Sequence, residues 1–183
     1  DVSSETVHYR LLGEKATELL QFPKECFPYG SVSLDIDGIN CLGLRSKFGQ
    51  IACIDLIAPA KFAMPIQAVF MNAGATALTD KSFERLRILM GEPGHGAELS
   101  EQYNPLEAGL RKYISFNKGC YIGQEVIARL NAYDKVQRRL VRLAWTEGKC
   151  KEGAELRLQD KLVGILTSAT CGDGPGLGIG YVR

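Results

Sequence analysis

The run Asn117-Lys118-Gly119-Cys120-Tyr121-Ile122-Gly123-Gln124-Glu125 concentrates the residue types best suited to chemistry in this chain. A cysteine just ahead of a helix start lies near unpaired backbone amides, which attract anions and favour a thiolate. Lys118 adds positive charge beside it. Gly119 and Gly123 permit turns and let a ligand approach the backbone. Gln124 both donates and accepts, which suits the edge of a heterocycle. Tyr121 offers a ring face and a hydroxyl, and Glu125 a helix cap or a ligand contact. Cys120 is the candidate reactive residue. A structural reading competes: Cys120 as a buried small hydrophobe, the glycines as turn formers, Glu125 as a solvated first-turn acid. A lone cysteine without a nearby histidine is weak ground for nucleophilic catalysis, and His8 and His95 are distant in sequence. On residue chemistry alone the structural reading leads.

Other groupings are weaker. Arg85, Arg87, Arg111, Arg129, Lys135, Arg138 and Arg139 could line a basic groove or form ordinary polar faces. Asp35 and Asp37 read as a solvated hairpin, and Cys41 and Cys53 as packing residues meeting across a hairpin. Gly172, Gly174, Gly176 and Gly178 lack the spacing and the strand-loop-helix context of a phosphate loop, and read as a strand connection. Six cysteines without metal-type spacing, and without a visible secretory signal, read as free thiols.

The elements that must position the run follow from periodicity. Leu11, Leu12, Ala16, Leu19 and Leu20 predict a helix over 11–21. Alternation predicts strands near 32–36, 41–44 and 51–57, with turns at Asp37-Gly38 and Lys47-Phe48-Gly49. A helix is expected over 60–73, a short strand over 75–78, and a helix from Asp80 to Met90. Asn104-Pro105 opens a helical turn, residues 113–116 read as a strand, and Val126, Ile127 and Leu130 share a helical face behind the run. Strands are expected at 138–145, 154–158, 161–167 and 177–182. The pattern predicts an α+β fold: a sheet-and-helix domain over 1–133, then part of a small antiparallel β-barrel over 136–183.

The chain has 183 residues, 45% apolar and 23% charged, with a formal net charge of +1. That balance supplies no whole-protein steering field and argues against direct nucleic-acid or membrane binding. No apolar run reaches membrane-spanning length. The expected location is cytoplasmic, or an organelle matrix or stroma if a targeting segment lies outside this window. Either end is expected to be cut from a longer protein.

Lys118-Gly119-Cys120-Tyr121-Ile122-Gly123-Gln124-Glu125 closely resembles the signature of YgfZ-type folate-binding proteins, within the superfamily of the glycine cleavage T-protein, or aminomethyltransferase. Asn104-Pro105-Leu106-Glu107-Ala108-Gly109-Leu110 and Ile114-Ser115-Phe116-Asn117 resemble the flanks of that signature. Residues 163–168 and 178–183 resemble the C-terminal barrel. The resemblance implies a T-protein-like fragment with a ferredoxin-like sheet-and-helix domain, and a site for tetrahydrofolate or a one-carbon derivative. It makes Lys118, Gly119, Tyr121, Gly123, Gln124 and Glu125 candidate cofactor-binding residues, with Glu107 and Arg129 beside them. No metal ligand is implied. The cysteine-bearing branch implies an accessory role toward iron–sulfur enzymes or their assembly factors, and through such an enzyme toward tRNA modification. The alternatives are aminomethyl transfer and a non-catalytic scaffold. One position departs from the T-protein pattern: Leu89 stands where a glutamate recognises the pterin. Losing such a partner in a buried site costs about 1–3 kcal/mol, which argues against classical aminomethyl transfer.

Overall fold

The computed structural model describes residues 1–23, 30–133, 136–170 and 175–183. The described chain forms two compact units, Asp1–Thr79 and Asp80–Arg183.

In the first unit, β1 (Thr6–Leu12), β2 (Ser31–Ile36), β3 (Ile39–Phe48) and β4 (Ile51–Pro59) form an antiparallel sheet in the order β1-β4-β3-β2. Asp37 and Gly38 join β2 to β3, both with positive φ (52° and 79°). This mirror-image turn matches the twist of paired strands, and Asp-Gly is a preferred sequence for it. The Asp35 carboxylate accepts the Gly38 N–H at 2.9 Å, as a hairpin acid does. Two helices, α1 (Lys15–Leu19) and α2 (Ala63–Asn72), supply Ala16, Ile66 and Phe70 to a core that also takes Leu34, Ile36, Cys41, Ile54, Leu56 and Ala58. Burying a side chain such as Leu56 or Ile66 completely is worth about 1.5–3 kcal/mol.

Four expectations need correction here. The helix over 11–21 shrinks to Lys15–Leu19, because Val7, Tyr9 and Leu11 alternate onto the core and carry β1 through Leu12. The leucine pairs fit a helical period, but pairing with β4 satisfies the backbone of 6–12 instead. Residues 75–78 form no strand. The sheet is also not ferredoxin-like in connection: β2, β3 and β4 are sequential neighbours, and β1 joins antiparallel to β4. Cys41 and Cys53 do not meet. Cys41 faces the core beside Leu34, whereas Cys53 is opposite Ser46, one residue out of phase with Ile54.

In the second unit, α3 (Asp80–Met90) packs against β7 (Lys161–Thr170) and β8 (Gly176–Val182). Helix α3 stops at Gly91, φ 74°. The Gly91 N–H donates to Ile88 O at 3.1 Å and the Glu92 N–H to Arg87 O at 3.0 Å, the paired bonds of a left-handed helix ending. With β5 (Arg139–Trp145) and β6 (Glu155–Leu158), these strands form an antiparallel sheet ordered β5-β8-β7-β6. Its end strands β5 and β6 are not paired with each other, so the expected barrel is an open sheet among the described residues. Gly176 and Gly178 lie within β8, not in a connection. Gly172, Gly174 and Cys171 lie outside the described residues, as do Cys26 and two residues at the expected domain boundary, Asp134 and Lys135. Cys41, Cys53, Cys120 and Cys150 are free thiols. No helix is long and apolar enough to cross a membrane among the described residues.

Candidate functional site

The predicted run lies in an irregular stretch that follows a short 3-10 turn, Arg111–Tyr113, and ends at α4 (Gln124–Ala132). Residues 113–116 form no strand. The Tyr113 and Ile114 amides bond locally, to Leu110 O and Arg111 O, which draws this segment into a turn. Gly123 occupies the N-cap of α4 in the left-handed conformation, φ 86°, with no side-chain cap. A Cβ there would be strained, so the glycine sets the entry angle of the helix. The Gln124 N–H donates to Tyr121 O at 3.2 Å and the Ile127 N–H to Gly123 O at 3.2 Å.

Cys120 is exposed. It is therefore not the buried hydrophobe of the competing reading. Lys118 and Gly119 are exposed beside it, and the Lys118 ammonium lies 4.8 Å from the centre of the Tyr121 ring. Tyr121 and Gln124 are half-buried; Gly123, Glu125 and Arg129 are exposed. Glu125 stands in the first turn of α4 and Arg129 in its last turn, each favourable to the helix dipole. Of the apolar residues behind the run, Ile127 and Leu130 turn inward at a spacing of three, while Val126 is exposed.

Glu107 is placed differently from the rest. It is buried, and its carboxylate accepts Arg138 Nε at 3.0 Å, Arg138 Nη2 at 3.3 Å and the Asn104 N–H at 3.0 Å. It thereby closes the turn that Asn104 and Pro105 begin, where the Ala108 N–H meets Asn104 O at 3.1 Å. Glu107 lines an open pocket of about 300 Å³ with Leu106, Gly109, Arg111, Leu130, Asn131, Val136, Arg139 and Leu140. None of the other predicted site residues lines it.

A densely bonded polar centre was not predicted at all. Glu98 is fully buried. Its carboxylate accepts Arg87 Nη1 at 2.9 Å, the Gly94 N–H at 2.8 Å, the Ser168 hydroxyl at 2.7 Å and the Thr167 hydroxyl. Arg87 also donates to Glu84, to Glu92 O at 2.8 Å and to Ser168 Oγ at 2.7 Å. The Tyr181 hydroxyl donates to Glu98 O at 3.0 Å, and its ring stacks on Tyr103 at 3.6 Å. Burial, then the neighbouring Tyr103, Glu98 and Glu107, push the Tyr181 hydroxyl far above its ordinary range. This network uses up Arg87 as a structural cation. Arg138 is likewise bound to Glu107, so these two arginines do not form a free basic groove. The single sequence signal for Glu98 was an acid following Gly94 and Gly96, in a loop with no period to read.

In the first unit, Asp55 gathers a second polar cluster on the face of the sheet opposite Ile54 and Leu56. It accepts His8 Nε2 at 2.8 Å, Arg10 Nε at 2.7 Å and the Ser46 hydroxyl at 2.8 Å. His8 is thus an exposed residue of β1 with a cross-strand partner. No group of three or more His, Cys, Asp or Glu side chains could hold a metal ion among the described residues.

No family model matches the chain. A chloroplastic protein of Arabidopsis thaliana, provisionally named a transferase, is 34% identical over 191 residues, covering 100% of this chain and 44% of that protein. An aminomethyltransferase of Thermoanaerobacter pseudethanolicus is 27% identical over 179 residues, covering 92% of this chain and 48% of the relative. A glycine cleavage aminomethyltransferase T from Bartonella henselae, solved by crystallography, superposes with a TM-score of 0.75 at 20% identity. It covers 97% of this chain and 52% of that one, and shares the α+β arrangement of antiparallel sheets and helices. The chain spans about half the length of the curated relatives it matches. The curated relatives along most of its length support membership of the chain in the superfamily of the glycine cleavage T-protein.

Proposed function

We propose that the intact protein binds a reduced folate and acts in one-carbon transfer of the aminomethyltransferase type. The observation that carries this reading is the likeness to bacterial proteins named aminomethyltransferase, across 92% of the chain or all of it. The residues near the signature fit a folate in part. Tyr121 offers a half-buried ring, Gln124 an amide, and Lys118 and Arg129 exposed positive charge. Position 89 does not fit a carboxylate-to-pterin contact: Leu89 is apolar and 45% exposed, and its carbonyl accepts Arg142 Nη1 at 3.0 Å.

That departure, with the exposed Cys120 ahead of α4, favours a second reading. In it the protein binds tetrahydrofolate as an accessory of iron–sulfur enzymes or their assembly factors, with an indirect effect on tRNA modification. One paired experiment separates the two. Tetrahydrofolate-dependent turnover of an aminomethyl donor is measured with the intact protein and its Cys120→Ala variant, beside iron–sulfur enzyme activity in cells carrying that variant. The transferase reading expects turnover that survives the substitution and unchanged iron–sulfur enzymes. The accessory reading expects no turnover and a loss of iron–sulfur activity. Failure to bind reduced folate at all would sink both.

A further inference from the structure

The pocket beside Glu107 has a charge pattern that none of the contacts above explains. Arg111 lies over the Phe116 ring at 5.3 Å and donates to the Asn131 side-chain oxygen. Asn131 is a neutral acceptor, so it holds the guanidinium in place without compensating its charge. Arg139 stands at the start of β5 and makes no ion pair among the described residues. The acid in the wall is Glu107, and its carboxylate is taken up by Arg138 and the Asn104 N–H. Two uncompensated cations therefore share an opening with Leu106, Leu130 and Leu140. At about 300 Å³ the pocket is at the small end of ligand sites. A guanidinium fork matches a carboxylate in shape and charge, and the apolar wall favours a compact hydrocarbon or aromatic body.

We infer that this pocket binds a small carboxylate-bearing molecule with an apolar body, anchored by Arg111 and Arg139. The inference does not depend on the folate reading. The molecule's source is either the benzoylglutamate portion of a folate or a free organic acid, and the chemistry recognised is the same. Titration calorimetry on the intact protein tests it with three probes: 4-aminobenzoylglutamate, 3-phenylpropionate and inorganic phosphate. Binding of both organic probes, weakened about tenfold by Arg139→Gln and again by Arg111→Gln, supports the site with a free acid as ligand. Binding of 4-aminobenzoylglutamate alone, with the same loss, supports it with the folate portion as ligand. Arg139 is exposed, so Arg139→Gln keeps the fold, and an unchanged unfolding midpoint verifies this. The inference is overturned if neither organic probe binds at millimolar concentration, if phosphate binds as tightly as they do, or if Arg139→Gln leaves their affinity unchanged.

Discussion

Removing the guanidinium of Arg87 would leave Glu98 buried with only the Gly94 amide and the Ser168 and Thr167 hydroxyls around it. Those groups hydrogen-bond a carboxylate but do not offset its charge. Breaking one side of a buried ion pair costs about 3–5 kcal/mol, so Arg87→Met is expected to destabilise the second unit by that order. Chemical denaturation of the variant measures it; a loss below about 1 kcal/mol, the range of an exposed pair, would contradict the burial argument. Neither partner was legible in sequence. Arg87 looked like one of many arginines on a polar helix face, and its hydroxyl partner Ser168 lies 81 residues away. Cys120 was legible as a candidate because its neighbours Lys118, Gly119 and Gly123 are local to it. Its exposure was not, since burial depends on what packs above it.

At the scale of elements, legibility followed the range of the forces involved. The Asp37-Gly38 turn and the ending of α3 at Gly91 need positive backbone angles that a few adjacent residues declare. The extent of β1 was misjudged because two periods overlap near Leu11 and Leu12, and only the pairing with β4 decides between them. The glycines of the second sheet were legible as glycines but not as packing sites. A Cβ on Gly164 would lie 2.2 Å from the Tyr181 backbone oxygen, whereas one on Gly119 would meet nothing within 4 Å. Gly164→Ala must move the backbone of β8 and is expected to cost about 1–3 kcal/mol. Gly119→Ala is expected to lie within about 0.5 kcal/mol of the parent, as surface changes usually do. Thermal unfolding of the two variants side by side checks this, and equal midpoints would refute the close-approach account.

For the molecule as a whole, the two units give acid stability two separate sources. Burial alone would raise the Asp55 carboxyl. Hydrogen bonds from Arg10 and Ser46, the Arg10 charge and the His8 bond outweigh it, and its pKa falls below the ordinary value. In the second unit the Arg87 hydrogen bond lowers Glu84 against partial burial. A carboxyl whose folded pKa is depressed contributes stability above its unfolded pKa, near ~4, and loses it as pH falls through the folded value. Stability is thus expected to be flat above about pH 5 and to fall progressively below about pH 4. Asp55→Asn should flatten that acid limb for the Asp1–Thr79 unit and leave the Glu84 contribution in place. Unfolding midpoints from pH 3 to 7, by a probe in each unit, decide it; an unaltered pH slope in Asp55→Asn would rule the cluster out as a source.

By itself, the sequence determined the α+β class, the hairpin at Asp37-Gly38, the ends of α2 and α3, and the loop-to-helix junction at Gly123. Each of these is encoded in residues close together in the chain. Only the tertiary structure decided which carboxylates are structural, that the second sheet is open, that Cys120 is exposed, and that Arg111 and Arg139 share a pocket. Those properties depend on partners tens of residues apart, and long-range packing selects among partners that local residue types leave equivalent.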